Sequence, residues 1–199
     1  VGHSALRVLT SGIGNVAIGS GSLAANQTSD FNTAVGTLAL SKATQDGSGH
    51  NTALGTHAGK SITTGTINTC VGSQAGSTMD GESHNTFIGY YAAGELNHGA
   101  SYCVALGASA MGVAAATQDG TIAIGYQSLN ALTSGTGNVA IGYQAALGIT
   151  TADGNTVLGH RALDAAHGAS DDNVAIGMDA MGAATDDNGT RTEQNVCIG

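Results

Sequence analysis

The sequence predicts an all-β chain, a parallel β-roll or β-solenoid of about eleven coils of 17 or 18 residues each. Three observations predict it. The pentapeptide Asn-Val-Ala-Ile-Gly occupies Asn15 to Gly19 and returns at Asn138 to Gly142 and Asn173 to Gly177, with looser copies between. Its closing glycine recurs at Gly2, Gly19, Gly36, Gly55, Gly72, Gly89, Gly107, Gly125, Gly142, Gly159, Gly177 and Gly199. The apolar pieces that end on these glycines are too short for helices, and each internal glycine costs a helix about 1 kcal/mol.

Each period yields the same elements in the same order. It begins at Asn in nearly every coil, with Cys103 and Thr121 as the exceptions. A β-branched residue follows, from Val16, Thr33, Thr52 and Thr69 through to Val196. Next comes a mostly small residue such as Ala17, Ala34, Ala53 or Ala140, with Cys70, Phe87, Val157 and Cys197 as the larger occupants. A large aliphatic then precedes the glycine in every coil, as in Ile18, Leu54, Ile88 and Ile141. These residues read as a strand closed by a glycine corner. Three places past the glycine stands Ala or Ser, often followed by Leu or Met, as at Ser22-Leu23 and Ala110-Met111. That stretch is expected to be a second short strand. Asp46-Gly47, Asp80-Gly81, Asp119-Gly120 and Asp153-Gly154 then turn the chain back.

Strand side chains alternate between faces, so the β-branched residue and the large aliphatic share one. That face is expected to line the coil interior, and the small column to point outward against a neighbouring chain. The recurring Asn is expected to stack as an amide ladder. Asn15, Gly19, Asn138, Gly142, Asn173 and Gly177 are therefore the structural corners, with glycine suiting a position of positive φ or close backbone approach. Residues 1–199 form a single repeat array. Because both ends fall inside the motif, the chain is expected to be a segment of a longer protein.

Composition narrows the function classes. Lys and Arg number 5 against 14 Asp and Glu, a net charge of −9, which disfavours nucleic acid and anionic membrane as partners. No apolar run approaches the length of a membrane span. Three scattered cysteines make neither a disulfide framework nor a zinc site, and Cys70 and Cys197 lie too many coils apart to bridge within one chain. No metal, cofactor or catalytic constellation is expected. The seven histidines, His3, His50, His57, His84, His98, His160 and His167, read as coil-surface residues. The acidic pairs Asp171-Asp172 and Asp186-Asp187 read as solvated turns, although they offer the oxygens from which a calcium loop begins. Asn26 and Asn188 stand in Asn-x-Thr sequons.

Asn15 to Ser22, Asn138 to Ala145 and Asn173 to Ala180 resemble the repeat of the YadA-like head of trimeric autotransporter adhesins. Asn32 to Leu40 resembles the related repeat in the shafts of phage and algal-virus tail-fibre proteins. The resemblance covers nearly the whole chain, although the coils here are longer than those of the adhesin heads. It implies a left-handed parallel β-roll, a side-by-side homotrimer, and an adhesive role outside the cell, at a cell or virion surface. An outward small column that includes Phe87, Val157 and two cysteines also argues for burial against another chain.

The expected function is a rigid fibre segment presenting surface patches or a tip to a host-surface glycan or protein. Residues just past the glycine corner are the candidate contacts: Tyr90, Tyr91, Tyr126, Gln127, Tyr143, Gln144, His160 and Arg161. Tyrosine supplies both a stacking face and a hydroxyl. Two other classes share the solenoid architecture. A monomeric ice-binding solenoid needs an exposed Thr ladder, and Thr33, Thr52, Thr69 and Thr86 stand in four consecutive coils. Left-handed β-helix acyltransferases need an aliphatic every six residues. Six past Ile124 is Asn130, so that rule fails and the chain is not expected to be an enzyme.

Overall fold

The computed structural model describes residues 1–96, 99–114, 118–165, 170–182 and 193–199. His98, His167, Asp186, Asp187 and the Asn188 sequon lie outside them. The described strands are β1 (Val16–Ile18), β2 (Thr33–Val35), β3 (Thr52–Leu54), β4 (Thr69–Val71), β5 (Thr86–Ile88), β6 (Glu95–Leu96), β7 (Val104–Leu106), β8 (Val113–Ala114), β9 (Ile122–Ile124), β10 (Val139–Ile141), β11 (Thr156–Leu158), β12 (Val174–Ile176) and β13 (Val196–Ile198). All but β6 and β8 form one parallel sheet of 11 strands in chain order. The register puts like on like, with Val139 on Ile122 and Thr156, and Ala140 on Ala123 and Val157. The result is an all-β parallel solenoid of about 9 turns. The count falls slightly below the eleven coils expected.

Two expectations are corrected. The segment past the glycine is not a second strand in each coil. It is a run of turns, and among the described residues only β6 and β8 pair there. Repeated left-handed residues cause this: Leu23, Leu40, Leu129 and Leu163 all take φ between 47 and 52 while fully buried.

The second correction reverses the strand faces. The small column Ala34, Ala53, Cys70, Phe87, Ala105, Ala123 and Ala140 is buried in the interior. Val16 and Ile18 point outward at 45% and 47% exposure, and their equivalents along the sheet are exposed or half-buried. The physical reason is volume. Leu23, Leu40, Met111, Leu129 and Leu163 fill the coil from the opposite wall, and Ile62, Met79, Leu132 and Ile149 fill it seven places past the glycine. Only a small side chain fits between those walls and the sheet. Phe87 is admitted because its surroundings shrink. A methyl at Gly76 would come within 3.2 Å of the Phe87 ring and 2.9 Å of Cys70 Sγ.

The Asn column also points inward and joins the coils. Asn51, Asn68 and Asn85 each donate their backbone N–H to the side-chain oxygen of the preceding Asn, at 2.9–3.0 Å. The same contacts join Asn155 to Asn138 and Asn173 to Asn155, at 3.0 Å. Side-chain amides then bond forward, Asn51 Nδ2 donating to the Gly65 carbonyl at 2.9 Å and Asn68 Nδ2 to the Glu82 carbonyl at 2.8 Å. At Cys103 the thiol takes over, donating to the Gln118 carbonyl at 3.0 Å. Thr121 offers no substitute, and its buried Oγ1 has no partner.

A second ladder runs beside the first, two residues upstream. Backbone N–H groups donate to the side chain at the same place in the next coil: Ile13 to Asp30 at 2.7 Å, Thr66 to Ser83 at 3.0 Å, Ser101 to Asp119 at 2.7 Å, and Asp153 to Asp171 at 2.9 Å. This gives the acidic turns a cohesive role. The motif glycines stack beneath one another. A methyl built on Gly89 would lie 2.5 Å from the Gly107 carbonyl oxygen, and Gly89 itself sits at φ 139. Glycine is required there on both counts.

Candidate interaction face

With the strand faces so arranged, each rung sends four side chains outward at alternate positions. They are the residue before the Asn, the β-branched residue, the large aliphatic, and the residue after the glycine. In the eighth coil, that of β10, these are Gly137, Val139, Ile141 and Tyr143. Columns two residues apart stand roughly 6.7 Å apart, and coils about 4.8 Å apart. Eleven strands give ten steps, so the face is roughly 48 Å long and, across four columns, roughly 20 Å wide. That is of order 1,000 Å² of mixed surface, with aliphatic and Thr columns in the middle and rings, Gly, Ser and Thr along the edges. The two central columns carry no charged residue anywhere along the 11-stranded sheet. The net −9 resides elsewhere.

The two edge columns carry the aromatic rings. Upstream of the Asn, Phe31, His50, Ile67, His84 and Tyr102 occupy consecutive coils, all with φ between 48 and 64 and all exposed. Phe31 stacks on His50 with centroids 5.2 Å apart, and His84 on Tyr102 at 4.9 Å. In later coils this column turns to Gly120, Gly137 and Gly154. The opposite edge does the reverse. It holds Ser20, Thr37, Thr56 and Ser73 first and then Tyr126, Tyr143 and His160. Those three rings form one stack, at 5.4 Å and 5.1 Å.

The structure thus brings Tyr126, Tyr143 and His160 together and sets Tyr90 and Tyr91 apart from them, with Ala108 between. Within the stack the ring faces are turned on each other, so it offers outsiders mainly ring edges. Gln144 Nε2 donates to Gln127 Oε1 at 2.9 Å beside it. Arg161 pairs with Asp164 at 2.6 Å. Tyr91 is half-buried, and its hydroxyl donates to Glu95 Oε1 at 2.7 Å. That bond, aided by burial, pushes its pKa up to about 12. Of the other histidines, His3 is exposed and His57 half-buried. Among the described residues no group of three His, Cys, Asp or Glu side chains converges to hold a metal ion. Among the same residues no helix is long and apolar enough to cross a membrane. Asn26 is buried with its amide oxygen accepting from Ser29 N–H at 3.1 Å, so this sequon is closed in the folded chain.

Sequence reasoning missed the face because it placed these columns inside. The edge ridges carried a legible signal, a ring or aliphatic at the same place in five successive coils. No family model matches the chain, nor does any curated protein or solved structure.

Proposed function

We propose that the chain is a rigid segment of an extracellular fibre or adhesin. Three chains pack side by side, and their stacked coils hold a receptor-binding tip or repeated side patches away from a cell or virion surface. One observation carries the reading. A four-column face of order 1,000 Å² runs the length of the sheet, its two central columns made of Thr, Val, Ile and Leu alone, and a stable interface needs about 800 Å² per partner. The repeat resemblance supports the same assembly. The role is mechanical, and a host-surface glycan or protein is its outside partner.

The test is the mass in solution by sedimentation equilibrium. The wild-type chain is expected to run as a trimer. Ile141→Asp puts a charge in the middle of the face without touching the core, so it is expected to give a folded monomer with unchanged β circular dichroism. A wild-type monomer at high micromolar concentration overturns the assembly. A host-cell binding assay on the trimer addresses adhesion separately.

One observation favours a second reading. Thr33, Thr52, Thr69 and Thr86 now stand outward in register, as an ice-binding solenoid requires. Val or Ile fills the column in most later coils, which shortens the ladder. Thermal hysteresis from a monomer would promote this reading.

A further inference from the structure

The two edges of the face differ rung by rung in a correlated way. Where the upstream edge is bulky, the downstream edge is small: Phe31 with Thr37, Ile67 with Ser73, Tyr102 with Ala108. Where the upstream edge is glycine, the downstream edge is a ring: Gly120 with Tyr126, Gly137 with Tyr143, Gly154 with His160. Seven of the ten complete rungs follow this pattern; the others are Gly14 with Ser20, Asp172 with Met178, and His84 with Tyr90, where the bulk crosses from one edge to the other. Within a chain the two edges are six residues apart, roughly 20 Å along an extended strand, so no contact inside the chain links their sizes. The core shows what size compensation looks like when residues do touch, in Phe87 against Gly76. Compensation between edges that do not touch implies contact between chains.

We propose that the chains of the trimer interlock edge to edge at one level. Each chain seats its Tyr126 and Tyr143 rings in the Gly120 and Gly137 groove of the next chain. The inference rests on the trimer reading and adds its geometry. A threefold rotation carries no translation, so each rung meets the same-numbered rung of its neighbour, upstream edge to downstream edge. The groove is open in the single chain at two positions. A methyl on Gly120 or Gly137 meets nothing within 4 Å, whereas the Asp172 carboxylate occupies that space at Gly154. Bulky residues hold the same backbone elsewhere in that column, Phe31 at φ 58 and Tyr102 at φ 62 against 67 for Gly137. The glycines are therefore not demanded by the coil alone, whereas a neighbour's ring would demand them.

Cysteine pairing tests this directly. On a Cys197→Ala background, Gly137→Cys with Tyr143→Cys is expected to give covalent dimers and trimers after mild oxidation, while either single variant stays uncrosslinked on a denaturing gel. In an antiparallel pair in full overlap, Tyr143 faces Ser73, so cross-linking of Ser73→Cys with Tyr143→Cys overturns the proposal. A trimeric native mass with no cross-link in the first pair overturns the interlock and leaves the trimer standing. A monomeric mass overturns both. A size swap gives a second readout. Gly137→Tyr is expected to weaken the trimer at least tenfold, and Gly137→Tyr with Tyr143→Ser to restore it. Unchanged assembly of Gly137→Tyr counts against the seat.

Discussion

Replacing Gly89 by alanine isolates the close stacking that sets the coil-to-coil approach. The new methyl would stand 2.5 Å from the Gly107 carbonyl oxygen, 2.6 Å from its carbon and 3.2 Å from the Ala108 nitrogen. All three are backbone atoms, so no rotamer can yield. Coils five and six must separate, loosening the 2.8 Å bond from Gly107 N–H to the Ile88 carbonyl. At φ 139 the backbone also lies where alanine is strained, at a cost of about 1–3 kcal/mol. Overpacking adds about 1–3 kcal/mol more. Gly47→Ala is the control, since Gly47 sits at φ 88, away from the proposed groove, with nothing within 4 Å of the added methyl. It bears left-handed strain alone, about 1–2 kcal/mol. The expected difference between the two variants is about 2–3 kcal/mol. Repeat arrays depart from two-state unfolding, so urea titration is best paired with amide exchange at Gly107, at fixed protein concentration. Equal losses in the two variants, within about 0.5 kcal/mol, would refute the claim that backbone contact rather than φ fixes these glycines.

Three further outcomes follow from the interior. Asn51→Ala strips the acceptor from the buried Asn68 N–H and one of two donors from the Gly65 carbonyl, which keeps Gln45 Nε2, and is expected to cost about 1–3 kcal/mol by urea titration. Thr121→Val removes a buried hydroxyl oxygen that has no partner while keeping the shape, and should stabilise the chain by about 1 kcal/mol, read as a raised unfolding midpoint. Burial pushes the Cys70 thiol from 9.0 up to about 12. The unfolded chain therefore ionises first as pH rises. This contribution is fully present below pH 9, fades between 9 and 12, and falls by on the order of 1 kcal/mol by pH 10. Cys103, also raised by burial, to about 11, adds to the same alkaline window. Comparing stability at pH 7.5 and 10 should show a smaller drop in Cys70→Ala than in the wild-type chain.

Period, strand position and corner residues were legible in the sequence because each rests on a local demand repeated in every coil. Glycine is needed where backbones nearly touch, and Asn where an amide must bridge two coils. The left-handed turns past the glycine were not legible. Nothing in Leu38, Gln127 or Arg161 announces a φ of 54–56, and their conformation is imposed by stacking on the coil below. The upstream ladder of Asp30, Ser83, Asp119 and Asp171 was hidden for a related reason. Those residues look like ordinary solvated turn chemistry until the neighbouring coil's N–H is in place.

The reversed strand faces show what alternation can and cannot decide. Period-two patterning says that Val139 and Ile141 share a face and that Ala140 takes the other, but it assigns neither face to the inside. Hydrophobicity alone favours burying the valine and isoleucine. A second constraint was available. Asn138 lies two residues before Ala140 and so shares its face. An amide that donates to the Ala152 carbonyl at 2.6 Å and accepts from Asn155 N–H at 3.0 Å must point into the coil, where those groups are out of water. Had the ladder been combined with the alternation, the alanine column would have followed it inward. The aliphatic columns would then have been left outside, where a single chain gains little from them. A face whose central columns carry no charge, on so acidic a chain, is what makes a second copy of the chain the natural partner to test first.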